Sequence, residues 1–169
     1  MIASPSPTGR SVLRTVLISS MAVSRAREEI LATYYLGSCI GLALHDARVG
    51  VAGLLHAMLP EASIDPEKAR RNPAMFVDRG VQALVDALLA MGATRRGIVA
   101  KAAGGAAVFN DHGMFRIGER NLAALRKVLW RNEILLVGED VGGAQARTMY
   151  VSVATGRVLL RTGTEQVEL

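Results

Sequence analysis

The sequence of 169 residues has one cysteine, an aromatic content of 4% and no long apolar run. A single cysteine cannot form a disulfide within the chain, which excludes a disulfide-stabilised secreted domain and favours a reducing, cytoplasmic setting. No stretch reaches the roughly 18 apolar residues that a transmembrane helix requires, so we expect no membrane insertion. The scarcity of aromatic rings argues against binding of single-stranded nucleic acid, which uses such rings to stack on bases.

The chain is basic, with a formal net charge of +5 at pH 7. Its basic residues are mostly arginines scattered along the sequence. They form neither a tract nor one helix face, so the pattern does not predict a nucleic-acid site. A diffuse positive field favours encounters with acidic protein surfaces. We therefore expect a protein partner and no nucleic acid.

The length fits one domain preceded by a short tail. Residues 1–11 are rich in Pro, Ser and Gly and are predicted to be disordered. Residues 12–169 are predicted to form a single domain. The apolar run VLISSMAV is interrupted by Ser19 and Ser20, so we interpret it as a β-strand and not as the apolar region of a signal peptide.

Helix and strand patterns alternate irregularly along the domain. Apolar positions recur at helical spacing between Pro73 and Gly92, and a second helix is predicted from Gly118. About eight short segments have strand composition. One of them, residues 134–138, is predicted to be buried, whereas residues 61–72 are predicted to form a polar, mobile loop. The fold class is therefore a mixed α/β (α+β) domain with two long helices, and not a regular series of βαβ units.

The only cysteine, Cys39, and the histidine His56 lie on two adjacent strand-like segments. A short loop of Ala47 and Arg48 would close a hairpin between these segments. In that register Cys39 is directly opposite His56, with Cβ atoms about 4.5–5.5 Å apart. An imidazole at this distance can take the thiol proton. The two residues are therefore candidates for a nucleophile and its general base.

Each candidate residue also has a purely structural explanation. A free cysteine is often a small buried apolar residue, and a histidine in an apolar strand is often a hydrogen-bonded core residue. Thr33, six positions before Cys39, is either an ordinary strand threonine or the group that orients the imidazole. Gly104 and Gly105 form either a close packing contact or a backbone wall beside the hairpin.

The other two histidines do not form a metal site with these residues. His45 lies at the polar end of the hairpin and is expected to be solvated, and His112 is either a site residue or a surface residue. The spacing of the three histidines and the cysteine does not match zinc ligand patterns. We expect neither a metal nor another cofactor.

Five motifs in order, spread over residues 16–161, resemble the chemoreceptor glutamine deamidase family, CheD. The first two are LGSC at 36–39, with Thr33 upstream, and HAMLP at 56–60. The others are KAAGGA at 101–106, IGERN at 117–121, and EDVGG at 139–143 followed by Arg147. Their order and natural spacing over nearly the whole domain identify the chain as a member of this family.

The resemblance implies a fold, a reaction and a site. The fold of the family is a mixed β-sandwich flanked by helices, similar to the cysteine deamidase domain of cytotoxic necrotizing factor toxins. The reaction converts specific receptor glutamines to glutamate through a thioester, with hydrolysis of glutamate methyl esters as a second reaction. The catalytic triad corresponds to Cys39, His56 and Thr33, and the supports of the cleft correspond to Gly37, Ser38, Gly104 and Gly105.

The resemblance also implies partners. These are the cytoplasmic helical bundles of chemoreceptors, which we expect to contact residues 61–72 and 109–116, and the phosphatase CheC. An alternative is that the chain is a non-catalytic binding partner and regulator of CheC. A further alternative is a small cysteine hydrolase with an unrelated amide substrate.

Overall fold

The computed structural model describes residues 10–108 and 116–169. Its helices are α1 (Pro66–Arg71), α2 (Val77–Ala90) and α3 (Ile117–Arg131). Its strands are β1 (Val12–Thr15), β2 (Ser20–Ser24), β3 (Glu29–Leu36), β4 (Ile40–Asp46), β5 (Val51–Ala57), β6 (Ile98–Gly104), β7 (Leu135–Val141), β8 (Arg147–Ser152), β9 (Val158–Thr162) and β10 (Glu165–Glu168). In these residues the strands form sheet A, ordered β1-β3-β8-β9-β10, and sheet B, ordered β2-β5-β4-β6-β7.

The two sheets pack against each other across an apolar layer. Sheet A contributes Leu31, Leu36 and Met149 to this layer, and sheet B contributes Ala43 and Leu54. The opposite face of sheet B packs against α2 and α3. Strands β4 and β5 are therefore buried on both faces, which explains why their sequences are continuously apolar and do not alternate.

The helices cover sheet B through regular apolar stripes. Helix α2 buries Val81, Leu84 and Leu88, and α3 buries Leu125 and Leu129. These positions follow the helical period that the sequence shows. None of the helices in the described residues is long and apolar enough to cross a membrane.

These elements confirm the predicted class, a mixed domain of helices and strands, and resolve its strands into two sheets. The similarity to cytotoxic necrotizing factor toxins stays a prediction. Residues 1–9 of the predicted tail lie outside the described residues. Residues 109–115, with His112 and most of a predicted docking loop, also lie outside them.

Residues 61–72 do not form the predicted loop. A 3-10 turn at Ala62–Ile64 is followed by α1. The Asp65 carboxylate accepts a hydrogen bond from the Lys68 backbone N–H at 2.9 Å, which caps the first turn of α1. The helix is only six residues long, too short for its apolar spacing to be recognised in the sequence.

The predicted buried strand at residues 134–138 is part of β7, which lies at the edge of sheet B. Leu135 is 68% exposed and Val137 is 48% exposed. The prediction of burial is wrong, because apolar composition does not reveal which strand of a sheet lacks a neighbour.

The β4–β5 hairpin does not have the predicted register. Its turn is formed by residues 47–50, and Gly50 has a φ of 64°, a conformation that favours glycine. Gly41, and not Cys39, is the residue paired with His56, so the predicted register is wrong by two residues. Side chains alternate between faces with a period of two, and a shift of two therefore leaves Cys39 and His56 on the same side of sheet B.

Candidate active site

A group of side chains lies at one end of the layer between the sheets. Thr33 extends from β3 in sheet A, and His56 extends from β5 in sheet B. Cys39 lies in the link between β3 and β4 and packs against the same apolar layer. The three residues predicted to form the triad thus enter this layer from three different segments.

One hydrogen bond determines which nitrogen of His56 carries the ring hydrogen. Thr33 Oγ1 lies 2.7 Å from His56 Nδ1 and 2.7 Å from the carbonyl oxygen of Val16. A carbonyl oxygen can only accept, so the hydroxyl donates its one hydrogen to Val16 and accepts from the imidazole. Nδ1 therefore carries the hydrogen, and Nε2 has the free lone pair.

The His56 ring is suited to act as a base. It is 2% exposed, and Nε2 has no hydrogen-bond partner among the described residues. Burial lowers the pKa of His56 to about 4, because the charged ring would lose its hydration. The imidazole is therefore neutral at physiological pH and able to take a proton at Nε2.

The Cys39 thiol is partly buried and in its protonated form. Burial raises the pKa of Cys39 above the ordinary thiol value, and its own backbone N–H offsets part of that increase. The thiol makes no hydrogen bond to His56 Nε2 in this resting arrangement. Catalytic hydrogen bonds often shorten only when substrate is bound. The two groups are thus a neutral thiol and a neutral imidazole, and not a preformed thiolate–imidazolium pair.

Gly104 and Gly105 pack against the backbone of Cys39. The Gly105 N–H donates to the Cys39 carbonyl oxygen at 2.9 Å. Gly104 has a φ of 106°, and a Cβ at this position would overlap the same oxygen. The close approach therefore requires glycine, and the pair makes the close packing contact that was one of its two interpretations, while its role as a wall of the cleft stays a prediction.

A β-bulge precedes Cys39 in the chain. Three steps along β3, from Thr33 to Leu36, face two steps along β8, so β3 carries one extra residue. Tyr35 in this bulge has a φ of 57° and is 85% exposed. The Gly37 N–H donates to the Tyr35 carbonyl at 2.9 Å. The chain then crosses from sheet A to sheet B through Gly37 and Ser38, directly before Cys39.

Two residues at the site were not predicted to belong to it. Gly41 lies opposite His56, and a Cβ there would lie only 3.0 Å from the Met149 sulfur. Asn121 on α3 donates to the Ser38 carbonyl at 2.8 Å and to another backbone carbonyl of the site. The IGERN motif contains Asn121 and was the available signal for it. No sequence pattern indicates that Gly41 is the residue opposite His56.

Arg147 and the EDVGG segment brace the same region from another direction. Arg147 is 8% exposed, and it donates to Asp140 Oδ1 at 2.8 Å and to the Gly142 carbonyl at 2.8 Å. The Gly142 N–H in turn donates to the Gly104 carbonyl at 2.8 Å. This motif therefore supports the glycine pair that contacts Cys39.

His45 is not solvated as predicted. It is 7% exposed and lies against Gly156 at the far end of β4. Three surface depressions, of about 330, 390 and 700 Å³, are lined by other residues and include neither Cys39 nor His56. The depression of about 390 Å³ is lined partly by Asp140, Gly143 and Arg147, so it borders the segment that supports the glycine pair.

Comparisons with known proteins give the family of the chain. Residues 58–162 match the family model CheD, described as CheD chemotactic sensory transduction. A protein of Solibacter usitatus is 46% identical over 152 residues, which is 90% of this chain and 90% of that protein. The chain belongs to the CheD family. The family predicted from the five motifs is confirmed.

CheD relatives of this chain share a description. The Solibacter protein is described as a probable chemoreceptor glutamine deamidase, and so is a Syntrophus aciditrophicus protein that is 43% identical over 147 residues, 87% of this chain and 92% of that one. A Pyrococcus abyssi relative is 42% identical over 146 residues, 85% of this chain and 88% of its own, and has the same description. The predicted enzyme class, an amidohydrolase of chemotaxis acting on protein glutamine, is the class of these relatives.

A Neisseria meningitidis protein of the DUF152 family has a crystal structure that overlaps 78% of this chain and 62% of its own, with a TM-score of 0.46 and 13% identity. A similarity this low carries no argument about fold or activity.

Proposed function

We propose that the chain deamidates glutamine side chains on the cytoplasmic helical bundles of chemoreceptors, with Cys39 as nucleophile, His56 as general base and acid, and Thr33 as the group that orients His56. The observation that carries the proposal is the hydrogen bond from His56 Nδ1 to Thr33, which leaves Nε2 as the basic nitrogen. A nucleophile and a base oriented by a third group is the arrangement used in acyl transfer. The descriptions of the CheD relatives support the substrate.

The first half of the reaction forms a thioester. His56 Nε2 takes the Sγ proton as the sulfur bonds to the carboxamide carbon, and the electron pair of the C=O bond moves to oxygen. Backbone N–H groups, including that of Cys39, stabilise the resulting oxyanion. The C–N bond then breaks, and the proton held on Nε2 passes to the leaving nitrogen. Ammonia departs.

The second half of the reaction hydrolyses the thioester. His56 Nε2 takes a proton from water as the water oxygen bonds to the thioester carbon. The C–S bond breaks, and the proton returns to the sulfur. Glutamate and the resting thiol are the products, so the net reaction consumes one glutamine side chain and one water.

The neutral character of the pair determines how the nucleophile forms. The pKa of His56 is lowered to about 4 and that of Cys39 is raised, both by burial, so proton transfer to Nε2 is unfavourable until attack begins. Thr33 supplies orientation without the negative charge by which a carboxylate would stabilise the imidazolium. A glutamate methyl ester presents a similar carbonyl with methanol as leaving group, so methylesterase activity is part of the proposal.

Exposed apolar residues flank the elements that form the site. Leu17 and Ile18 follow Val16, the partner of Thr33, and are 67% and 54% exposed. Tyr35 lies four positions before Cys39 and is 85% exposed. Such residues fit a docking surface for a helical bundle, and we prefer them to residues 61–72, which form a 3-10 turn and α1. A receptor bundle in the cytoplasm is the partner we propose.

The test measures the conversion of glutamine to glutamate directly. Purified chain is incubated with receptor cytoplasmic fragments, and peptides are analysed by mass spectrometry for the amide-to-acid mass change at individual glutamines. We expect conversion at specific glutamines with the wild-type chain and none with Cys39→Ala. Thermal denaturation of the variant verifies that it is folded.

The same samples distinguish the alternatives. A wild-type chain that leaves every receptor glutamine unchanged, yet binds CheC tightly in a titration, would establish the non-catalytic binding module. Hydrolysis of small amides without any receptor modification would establish a cysteine hydrolase with another substrate. Conversion that persists in Cys39→Ala would exclude the proposed nucleophile.

A further inference from the structure

Asn121 is a fully buried amide that holds two ends of the site together. It is 0% exposed, and its Nδ2 donates to the Ser38 carbonyl at 2.8 Å and to the Met58 carbonyl at 3.0 Å. Ser38 directly precedes Cys39 in the chain, and Met58 is two positions after His56. Both hydrogens of the Nδ2 group are therefore committed to backbone beside the nucleophile and the base.

The first of these bonds fixes the orientation of the peptide group before Cys39. That peptide is trans, so its N–H points away from its C=O. Because the Ser38 carbonyl points toward Asn121 on α3, the Cys39 N–H points away from α3. The peptide group after Cys39 is also held, since the Cys39 carbonyl accepts from the Gly105 N–H at 2.9 Å.

The start of α3 is in close contact with this backbone. Gly118, three residues before Asn121, approaches the Gly105 carbonyl oxygen so closely that a Cβ would lie 2.6 Å from it. Helix α3 therefore contacts Ser38, which precedes Cys39, and Gly105, which donates to the Cys39 carbonyl. A rigid helix is a precise support for a group that must be held within a fraction of an ångström of its productive position.

We infer that Asn121 is a positioning residue that aims the Cys39 N–H at the oxyanion formed during deamidation. This inference rests on the proposed function, in which that N–H is an oxyanion donor. Loss of one such donor typically lowers kcat by about 10²–10³-fold. Asn121 acts through the Ser38–Cys39 peptide and does not itself touch the substrate.

The rates of two reactions of the Cys39 sulfur distinguish this role from that of a buried amide that only links a helix to a sheet. Deamidation develops negative charge on oxygen, whereas alkylation of Cys39 by iodoacetamide displaces iodide and forms no oxyanion. A misaimed N–H slows the first reaction far more than the second, in which this N–H acts only through the pKa of the thiol. A general loosening of the site slows or accelerates both.

The experiment measures both rates in Asn121→Ala and Asn121→Leu. The matched control is Asn132→Ala, which removes another buried asparagine that donates to the Val128 carbonyl at 2.9 Å, at the far end of α3. All measurements use a temperature at which thermal denaturation shows each variant to be folded. For both Asn121 variants we expect kcat for receptor glutamine to fall by about 100-fold, with KM and the alkylation rate within a few-fold of wild type, and for Asn132→Ala we expect kcat to be unchanged.

Several outcomes would overturn the inference and leave the proposed function intact. One is a wild-type kcat in the Asn121 variants, and another is an equal change in deamidation and alkylation. An equal loss of kcat in Asn132→Ala would show that the effect does not come from the Ser38–Cys39 peptide. Absence of deamidation by the wild-type chain would instead remove the proposed function itself.

A wild-type measurement keeps the inference testable if the Asn121 variants do not fold. A peptide aldehyde analogue of glutamine forms a hemithioacetal with Cys39, whose oxygen occupies the position of the oxyanion. We expect the Cys39 amide proton to move downfield in the NMR spectrum of the labelled chain as it donates to that oxygen. An unmoved resonance would overturn the role of this N–H, and with it the role of Asn121.

Discussion

His56 and His45 lie at opposite ends of the β4–β5 hairpin, and both face the layer between the two sheets. His56 pairs with Gly41 and His45 pairs with Ala52, so the two histidines are separated by four positions along β4, or about 13 Å. Both are buried, and neither Nε2 has a partner among the described residues. Burial lowers the pKa of both rings.

The difference lies in what holds each ring and what faces it. The Thr33 hydroxyl, which donates its own hydrogen to Val16, holds His56 Nδ1. Cys39 packs against the same layer between the sheets. His45 has Gly156 against its ring, and burial lowers its pKa, while a hydrogen bond with the Val153 backbone and then the charge of Asp46 raise it in part. Burial and a lowered pKa therefore do not make a histidine a general base. What distinguishes His56 is the Thr33 hydroxyl on Nδ1 together with a cysteine on the same side of the sheet, and these make it the candidate base.

The largest expected effect follows from substituting the two histidines in parallel. His56→Ala removes the proposed base, and we expect kcat for receptor glutamine to fall by about 10⁴-fold. His45→Ala removes a ring of equal size and similar burial from the same layer, and we expect kcat to stay within a few-fold of wild type. Mass spectrometry of receptor fragments measures both rates.

Thermal denaturation of these two variants is the control, because each substitution leaves a cavity in the same layer and lowers stability. A comparable loss of activity in His45→Ala, at a temperature where this variant is folded, would contradict the proposal that only His56 acts as the base.

The next effect concerns the group that orients His56. Thr33→Val keeps the shape of the side chain and removes the hydroxyl, which leaves Nδ1–H and the Val16 carbonyl unpaired. We expect kcat to fall by about 10- to 100-fold, since a bond worth about 1.5–3 kcal/mol is lost from the transition state. Thr33→Ser retains the hydroxyl and is expected to keep most of the activity.

Steady-state kinetics of both Thr33 variants provide the measurement. Equal activity of the valine and serine variants would show that the threonine only packs, as an ordinary strand residue does.

A smaller effect is expected in the pH dependence of stability. The pKa of His56 is lowered from 6.5 to about 4 in the folded chain, so between these values the unfolded chain binds more protons than the folded one. The free energy of unfolding therefore falls as the pH decreases from 6.5 to 4, by up to about 3 kcal/mol from this ring, and this contribution is fully present above pH 6.5. His45 contributes in the same direction.

Urea unfolding at pH 7 and at pH 4.5 tests this dependence. The carboxylates also titrate in this range, so the informative quantity is the difference in slope between wild type and His56→Gln. We expect a shallower loss in the variant. Identical pH dependence in the two proteins would mean that His56 is not desolvated in solution.

The sequence predicts the mixed class and most strands, because these depend on composition and local order. The catalytic roles of Cys39, His56 and Thr33 are implied by the family resemblance and stay a prediction. The hairpin register was wrong because its turn has four residues and not two, with Gly50 in the position that needs a positive φ. The prediction that Cys39 and His56 lie on the same side of the sheet still holds, because an error of two residues preserves the alternation of side chains.

The contacts of Asn121 could not be predicted from the sequence. They join residues 83 and 63 positions apart and depend on where α3 packs against the end of sheet B. Local periodicity describes which face of a helix is buried, but not which backbone carbonyl a polar residue on that face will meet. The exposure of β7 was missed for the same reason, because strand order is a property of the whole sheet.

The smallest expected effect concerns two residues with positive φ, one at each end of the layer between the sheets. Gly50, in the turn of the hairpin, has a φ of 64°, and Tyr35, in the β3 bulge near the candidate site, has a φ of 57°. A bulky residue in this conformation costs about 1–2 kcal/mol, whereas glycine adopts it freely. We expect Tyr35→Gly to raise the free energy of unfolding by about 1 kcal/mol and Gly50→Ala to lower it by a similar amount, measured by urea denaturation.

If Tyr35 contacts the receptor bundle, the same Tyr35→Gly variant gains stability while its KM for receptor fragments rises and its KM for a short glutamine peptide does not. A gain in stability with unchanged KM for the receptor would show that the strained tyrosine has no part in docking.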